Sequence, residues 1–415
     1  VKSEKLAING GSPIIQDDSG KFIHPIVTPQ IEKAVIEQMH STLSIYDRSG
    51  IFKDFEDAFA EYHGKKHGLV TSSGTTALWS LYDSINLKKD DEIICPIYTF
   101  HATVNPILQT SAKPIFVDCD KTGNIDPERI AQKINEKTKA IMITHMWGYP
   151  CKMDNIKALS KKYGLYLFED CSHAHGASYQ SKKLGSWGDA AAFSLQGNKI
   201  ITGGEGGIII TDNNEIYKNC VLHGHFGKRT KQEIDPNTED FKYAVTGKGL
   251  KLRAHPLAIR IAHEQFKSLD DINRQKNEHV EIIRDYVSNI NGIELNQGYA
   301  DSVNSWYALI LKLDKEKFNC DIELFCKSLN AEGGVEFDIP NATSPLDTLE
   351  LYKKPSHFFK NYKDENLVDG EYPMSKKFSQ SIIKMPVWYR KEDTAIVENY
   401  GKILNKVAKI YEKVN

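Results

Sequence analysis

With 53 lysines and arginines against 55 aspartates and glutamates over 415 residues, the chain carries a formal net charge of −2 at pH 7. That balance gives no global field to draw nucleic acid or an anionic membrane, so neither is expected as a partner. At 40% hydrophobic and 26% charged residues, the composition is that of a soluble globular enzyme, long enough for one large domain and a smaller one.

In chain order, "TPQIEKAVIEQMHSTL" (28–43) opens on Thr-Pro with apolar residues at helical spacing and predicts a helix. "FKDFEDAFAEYHG" (52–64) predicts a second, closed by Gly64. Strands and helices then alternate. "HGLVTSS", "DEIICPIYT", "AKPIFVDC", "TKAIMITHMWG" and "LYLFEDCS" read as strands. Between them "GTTALWSLYDSI", "ATVNPILQTS", "DPERIAQKIN" and "MDNIKALSKKYG" read as helices, although Pro106 interrupts the second. "DAAAFSLQ" and "GGIIITDN" continue as strands. Near-continuous apolar strands alternating with helices imply an α/β domain, its mostly parallel sheet covered on both faces. After about residue 253 the texture changes to a long helical stretch (256–289), a strand in "NSWYALILKLD", a helix (321–332) and a final helix (392–414). The expected organisation is an N-terminal arm and large domain over 1–253, then a linking helix and small α+β domain over 254–415. Residues 340–374, rich in Pro, Asp, Lys and aromatics, are expected to loop over a site.

No apolar run approaches the ~20 residues of a bilayer span, and the polar opening residues do not read as a secretory signal. The seven cysteines (Cys95, Cys119, Cys151, Cys171, Cys220, Cys320, Cys326) follow no C-x-x-C spacing. They predict reduced, mostly buried thiols and a cytoplasmic protein, rather than a disulfide framework or zinc site.

The chemistry centres on "FSLQGNKIITGGEGG", where Lys199 stands alone between a serine and a glycine cluster. A phosphate-cradling loop needs its lysine after the glycines, and "GGEGGIII" lacks the last glycine of a dinucleotide fingerprint, so both readings fail. A crowded, desolvated lysine has a depressed pKa and suits imine formation with an aldehyde, most commonly pyridoxal 5′-phosphate. That cofactor demands an acid at its pyridine nitrogen, a phosphate pocket and a flat group against its ring. Asp170 ends the strand "LYLFED" and is the candidate acid. Gly74 and Thr75 in "SSGTTAL" open a helix whose free N–H groups attract phosphate, and Ser194 adds a hydroxyl. Phe100 follows "IICPIYT", placed to stack on the ring. His145, Trp147 and Tyr149 in "HMWGYP" are candidate pocket walls at a strand end, with an ordinary turn as the alternative. Trp187 in "GSWGD" either shapes the substrate entrance or packs in the core. His173 with His175, and His223 with His225, have H-x-H spacing but no third ligand, so no metal is expected. Lys228 and Arg229 read as a solvated loop in preference to an anion site.

Taken together, "SSGTTAL", "PIYTFHATVNPI", "FEDCSHAHGA", "GSWGDAAAFSLQGNK" and "GGEGGIIITD" resemble the DegT/DnrJ/EryC1/StrS family of sugar aminotransferases dependent on pyridoxal phosphate. The resemblance runs from "KLAINGGSP" to "MPVWYRKEDTAIVENYGKIL" and is densest over 64–207. It implies the fold type I (aspartate aminotransferase-like) architecture. It also implies Lys199 as the Schiff-base lysine that shuttles a proton, Asp170 as the partner of the pyridine nitrogen, and Gly74, Thr75 and Ser194 as the phosphate cup. Phe100 matches the stacking aromatic. His173 falls where many members carry a glutamine against the cofactor's ring hydroxyl, and Gln196 where several carry histidine near the reacting carbon. Lys251 in "GKGLKLRAHPLA" stands where an asparagine of the neighbouring subunit reaches the phosphate. The family implies a homodimer with sites at the interface, an L-glutamate or L-glutamine donor, and a keto-sugar or keto-cyclitol acceptor. "SLQGNK" and "RAHPLA" look more like the keto-cyclitol branch than the nucleotide-sugar members. Three alternatives stand beside transamination, one of them other lyase or condensation chemistry of the cofactor on the shared scaffold. A sugar dehydratase of the same family would carry histidine in place of Lys199, and a regulatory protein that binds cofactor without catalysis would not require the whole constellation.

Overall fold

The computed structural model describes residues 5–363 and 365–413. Its strands in chain order are β1 (His67–Thr71), β2 (Glu92–Pro96), β3 (Lys113–Val117), β4 (Thr138–Thr144), β5 (Tyr166–Asp170), β6 (Ser178–Tyr179) and β7 (Lys182–Lys183). They continue as β8 (Ala190–Ser194), β9 (Gly207–Thr211), β10 (Ile293–Leu295), β11 (Ser302–Val303), β12 (Leu309–Leu313) and β13 (Ile382–Met385).

Seven of them form one sheet in the order β1-β9-β8-β5-β4-β2-β3. β2, β3, β4, β5 and β8 run parallel, whereas β9 is antiparallel to both of its neighbours, β8 and β1. The reason is the connection: no helix is formed between Ser194 and Gly207, and a helix-free return gives an antiparallel pair, while a parallel one needs a crossover. Lys199 lies in this return. Both faces of the sheet are buried with period two. Val70, Leu167, Phe193, Ile208 and Ile210 pack on one side. Leu69, Phe168, Ala192 and Ile209 pack on the other.

A second sheet, β10-β12-β13, is antiparallel throughout and shares a hydrophobic cluster with Val280 and Ile283 of the helix Leu269–Val287 and Ile403 and Leu404 of the helix Thr394–Tyr411. Leu6 and Ile15 join this cluster, whereas Leu346, Tyr352, Tyr362 and Val368 pack with the larger sheet. Packing thus crosses the expected division at 253/254 in both directions.

Three elements differ from the sequence expectation. Residues 102–111 form two short 3-10 segments, His101–Thr103 and Asn105–Gln109, because Pro106 removes a donor and clashes in an α-helix. The stretch 256–289 is two helices, Pro256–Phe266 and Leu269–Val287. The final helix begins at Thr394 after a 3-10 turn; its expected end at residue 414 lies outside the described residues. Arg229 is not solvated: it is buried, and its guanidinium donates to both carboxylate oxygens of buried Glu56 at 2.8 and 2.9 Å.

Candidate active site

The β8–β9 return is held by its own backbone. The Lys199 N–H donates to the Gln196 carbonyl at 2.8 Å, and the Lys199 carbonyl contacts the His24 Nε2 at 2.8 Å. A glycine is required at Gly203, since a Cβ there would lie 2.3 Å from the Ala258 carbonyl oxygen of the helix Pro256–Phe266. The strand ends Thr144, Asp170 and Ser194, together with Lys199, line a cavity of about 460 Å³. Gly74, Thr75, Phe100, Thr103, Trp147, His173, Gln196, Tyr307, Asp338 and Lys384 complete the part of the wall that bears on its chemistry. Carboxyl strand ends of an α/β sheet are where ligand groups gather.

Burial pushes the Lys199 amine down from 10.5 to about 8, against the pull of the Asp170 charge. Its Nζ lies 4.5 Å from the centre of the Tyr307 ring. Asp170 is buried. One of its carboxylate oxygens accepts from the Thr103 hydroxyl at 2.7 Å and the other from the Ser172 N–H at 3.0 Å.

Against the end of β8 the helix Gly74–Ser84 begins. Ser73 caps it, its hydroxyl accepting from the Thr76 N–H at 3.1 Å, while the Thr76 hydroxyl accepts from the Ser73 N–H at 3.0 Å. The cap spends the Thr76 donor, and Gly74 and Thr75 are the lining residues of the first turn, at the positive end of the helix dipole. A Cβ at Gly74 would stand 2.7 Å from the Ser194 Cβ, so only glycine lets this turn sit on the end of β8.

Three flat side chains stack along one side. The His173 ring is parallel to Tyr307, with centroids 3.9 Å apart, and the Trp147 ring lies beside the pair, 5.6 Å from His173 and 6.1 Å from Tyr307. Both flanking segments use strained backbone: φ is 58° at Trp147 and 52° at Trp306, the residue before Tyr307. The His173 Nδ1 accepts from the Trp147 N–H at 3.3 Å, and burial, then the charge of Lys199, pushes the ring well below its ordinary pKa. His173 is therefore neutral, with its proton on Nε2.

Nine of the thirteen candidate site and pocket-wall residues named from the sequence line this cavity: Gly74, Thr75, Phe100, Trp147, Asp170, His173, Ser194, Gln196 and Lys199. His145, Tyr149, Trp187 and Lys251 do not. His145 is buried, its Nε2 donating to Glu169 at 3.2 Å while its Nδ1 accepts from the Cys151 N–H at 3.0 Å. Both ring nitrogens are engaged, so the nearby grouping of His145, Glu169 and Cys171 is a hydrogen-bonded core motif. The turn bearing Trp187 is fixed on the same carboxylate through the N–H groups of Gly185 and Gly188, and Trp187 packs by Tyr179 and Lys182. Lys251 is exposed, bridged to His225. Tyr307, Thr103, Asp338 and Lys384 were not singled out from the sequence. Only the position of Tyr307 at the mouth of a predicted strand could have signalled one of them. Pro340, Ala342 and Thr343 bring the expected loop to the cavity, although much of 346–368 packs on the large sheet instead.

Residues 28–399 match the DegT/DnrJ/EryC1/StrS aminotransferase family. The chain belongs to that family. This aminotransferase is 33% identical over 277 residues to the GDP-perosamine synthase of Escherichia coli O157:H7, spanning 66% of this chain and 72% of that one. It is 27% identical over 401 residues to the L-glutamine:2-deoxy-scyllo-inosose aminotransferase of Streptomyces kanamyceticus, spanning 92% of each. The aminotransferase from Psychrobacter cryohalolentis, 24% identical, superposes with a TM-score of 0.83 over 93% of this chain and 98% of that one, and the two share a fold. No helix among the described residues is long and apolar enough to cross a membrane.

Proposed function

We propose that this aminotransferase holds pyridoxal 5′-phosphate in the cavity and moves an amino group from L-glutamate or L-glutamine to a keto-sugar or keto-cyclitol. The observation that carries the reading is the Lys199 amine, lowered to about 8 by burial and within the field of buried Asp170. The cavity fits the cofactor: the capped turn at Gly74 and Thr75, with the Ser194 hydroxyl, suits a phosphate; Asp170 suits a protonated pyridine nitrogen; and the His173 Nε2–H suits a ring oxygen. Bound there, the cofactor would supply an electron sink for the donor carbon that loses a proton and the acceptor carbon that gains one. Lys199, about half neutral near pH 8, would take a proton from the donor's carbon and, in the second half of the reaction, deliver one to the acceptor's. The Asp170 carboxylate is held in place by the hydrogen bonds it accepts from Thr103 and Ser172, and the Trp147, His173 and Tyr307 rings exclude water from one wall.

The sugar or cyclitol acceptor is supported by the relatives, one named for a perosamine and one for an inosose, and the glutamine donor by the second. Two copies of the chain are proposed to complete the site. Phe100, 41% exposed though it lines the cavity, and Ile23, Val27, Ile36 and Met39 are exposed apolar side chains of the kind a partner subunit would cover. From that partner, Lys251 is proposed to reach the phosphate. A cytoplasmic location accords with buried free cysteines. The presence of Lys199 disfavours a dehydratase.

The test is spectroscopic. Protein purified with pyridoxal phosphate is expected to show the long-wavelength absorbance of cofactor joined to a lysine. L-glutamate or L-glutamine is expected to abolish it, and a keto-sugar or keto-cyclitol to restore it with release of an amino product. Absorbance indifferent to every amino acid, or a product that has lost water without gaining an amine, overturns the reading.

A further inference from the structure

Whatever amino acid donates to this site brings a carboxylate beside the amine it gives up, and the walls are poorly suited to receive it. Asp170, Glu205 and Asp338 all line the cavity, His173 is neutral, and the proposed cofactor adds a phosphate. Lys199 is committed to the reacting carbon. Among the described residues, Lys384 is the one other cation lining the cavity.

Its setting is built to present a charge. Lys384 lies on β13, where Ile382, Ile383 and Met385 are buried in the small-domain core. Its backbone exchanges two hydrogen bonds with Asp338, at 3.0 and 2.8 Å, as an isolated antiparallel bridge. In such a directly opposed pair the two side chains project to the same side. The ammonium accordingly meets the Asp338 carboxylate at 3.1 Å. This ion pair is weak: the side chains are 33% and 57% exposed, and exposed pairs contribute little to stability. Exchanging Asp338 for an incoming carboxylate costs correspondingly little, and Asp338 can then turn to solvent. Lys384 is also electrically within reach of the reacting centre, because its charge, like that of Lys199, is felt at His173.

We infer that Lys384 is the specificity-determining cation that receives the carboxylate of the amino donor, released from Asp338 as the donor enters. The inference rests on the proposed transamination and adds to it the residue that selects an amino acid as donor.

The test uses protein loaded with pyridoxal phosphate and three chains: wild type, Lys384→Gln and Lys384→Arg. For the donor that the wild type accepts, Lys384→Gln is expected to raise the donor KM at least tenfold while changing kcat and the acceptor KM less than threefold. Calorimetric affinity for 2-oxoglutarate falls by a similar factor, and the long-wavelength absorbance of the loaded protein is unchanged. The wild-type preference for L-glutamate over its 1-methyl ester collapses in Lys384→Gln, and Lys384→Arg restores all of these. A wild type that reacts, with a Lys384→Gln variant of unaltered donor KM and 2-oxoglutarate affinity, overturns this inference alone. A rise confined to the acceptor KM overturns it too, assigning Lys384 to the acceptor. A wild type indifferent to every amino acid overturns the transamination reading and this inference with it.

Discussion

The imidazole of His173 lies on the phenol ring of Tyr307 with planes 3° from parallel, and the Lys199 amine lies 4.5 Å from the same phenol ring. One aromatic plane thus joins the large-domain strand end, through His173, to the segment leading into β12 of the small sheet. An aromatic pair contributes ~0.5–1.5 kcal/mol beyond area burial. Tyr307→Phe is expected to keep the stack and the stability of the cofactor-free protein. Tyr307→Leu is expected to lose about that amount, read as a shift in urea midpoint.

Asp170 acts on Lys199 through charge, and its carboxylate raises the amine's pKa against burial. Asp170→Asn retains the shape and removes the charge, so the Lys199 pKa is expected to fall below about 8. Capture of pyridoxal phosphate by cofactor-free protein should then reach its neutral-amine plateau at lower pH than in wild type. Transamination should nevertheless drop by about 10²–10⁴-fold, the scale of a positioned acid–base contribution. Turnover that survives the change would remove Asp170 from the machinery.

The contact between Gly74 and Ser194 gives a prediction about the phosphate. Gly74→Ala places a Cβ 2.7 Å from the Ser194 Cβ, an overpacking expected to cost about 1–3 kcal/mol and to push the helix N-terminus off the strand end. Affinity for pyridoxal phosphate should fall more than affinity for pyridoxal, which lacks the phosphate. Equal losses for the two would show that the turn does not read the phosphate.

These residues also show where the sequence was legible. Asp170 and Ser194 sit at strand ends, Gly74 at a helix start and Lys199 in the return that follows a strand, which period and punctuation reveal, and a parallel sheet brings such ends together by construction. Lys384 and Tyr307 escaped because they reach the cavity from the small sheet, whose approach depends on long-range packing that no local pattern encodes. Arg229 misled for a related reason. Its neighbours Lys228 and Lys231 suggest a solvated run, and its partner Glu56 is 173 residues away. His145 was legible as a strand-end residue, but not as one whose two ring nitrogens are spent on Glu169 and Cys151.

A last prediction concerns Lys276. It lies on the helix Leu269–Val287, buried, its ammonium donating to the Trp306 carbonyl at 2.9 Å and making no ion pair among the described residues. Burial lowers its pKa from 10.5 to about 7. Below about pH 7 both folded and unfolded chains are protonated here, and the folded state bears the full cost of an enclosed charge. Between about pH 7 and pH 10.5 the unfolded chain holds a proton that the folded one has released, so this group makes stability rise with pH. The slope is about 1.4 kcal/mol per pH unit. Lys276→Gln keeps a donor for the Trp306 carbonyl and removes the titration. Wild type is therefore expected to gain stability over Lys276→Gln as pH rises through that window, measured as the difference in urea midpoints at matched pH. A difference that stays flat would mean that the amine titrates near its ordinary value. The consequence reaches the site, because the Trp306 carbonyl belongs to the strained residue that presents Tyr307 to Lys199. With Lys276→Met, which leaves that carbonyl without its donor, the 4.5 Å contact between Lys199 and the Tyr307 ring is expected to loosen, and cofactor retention on dialysis to fall with it.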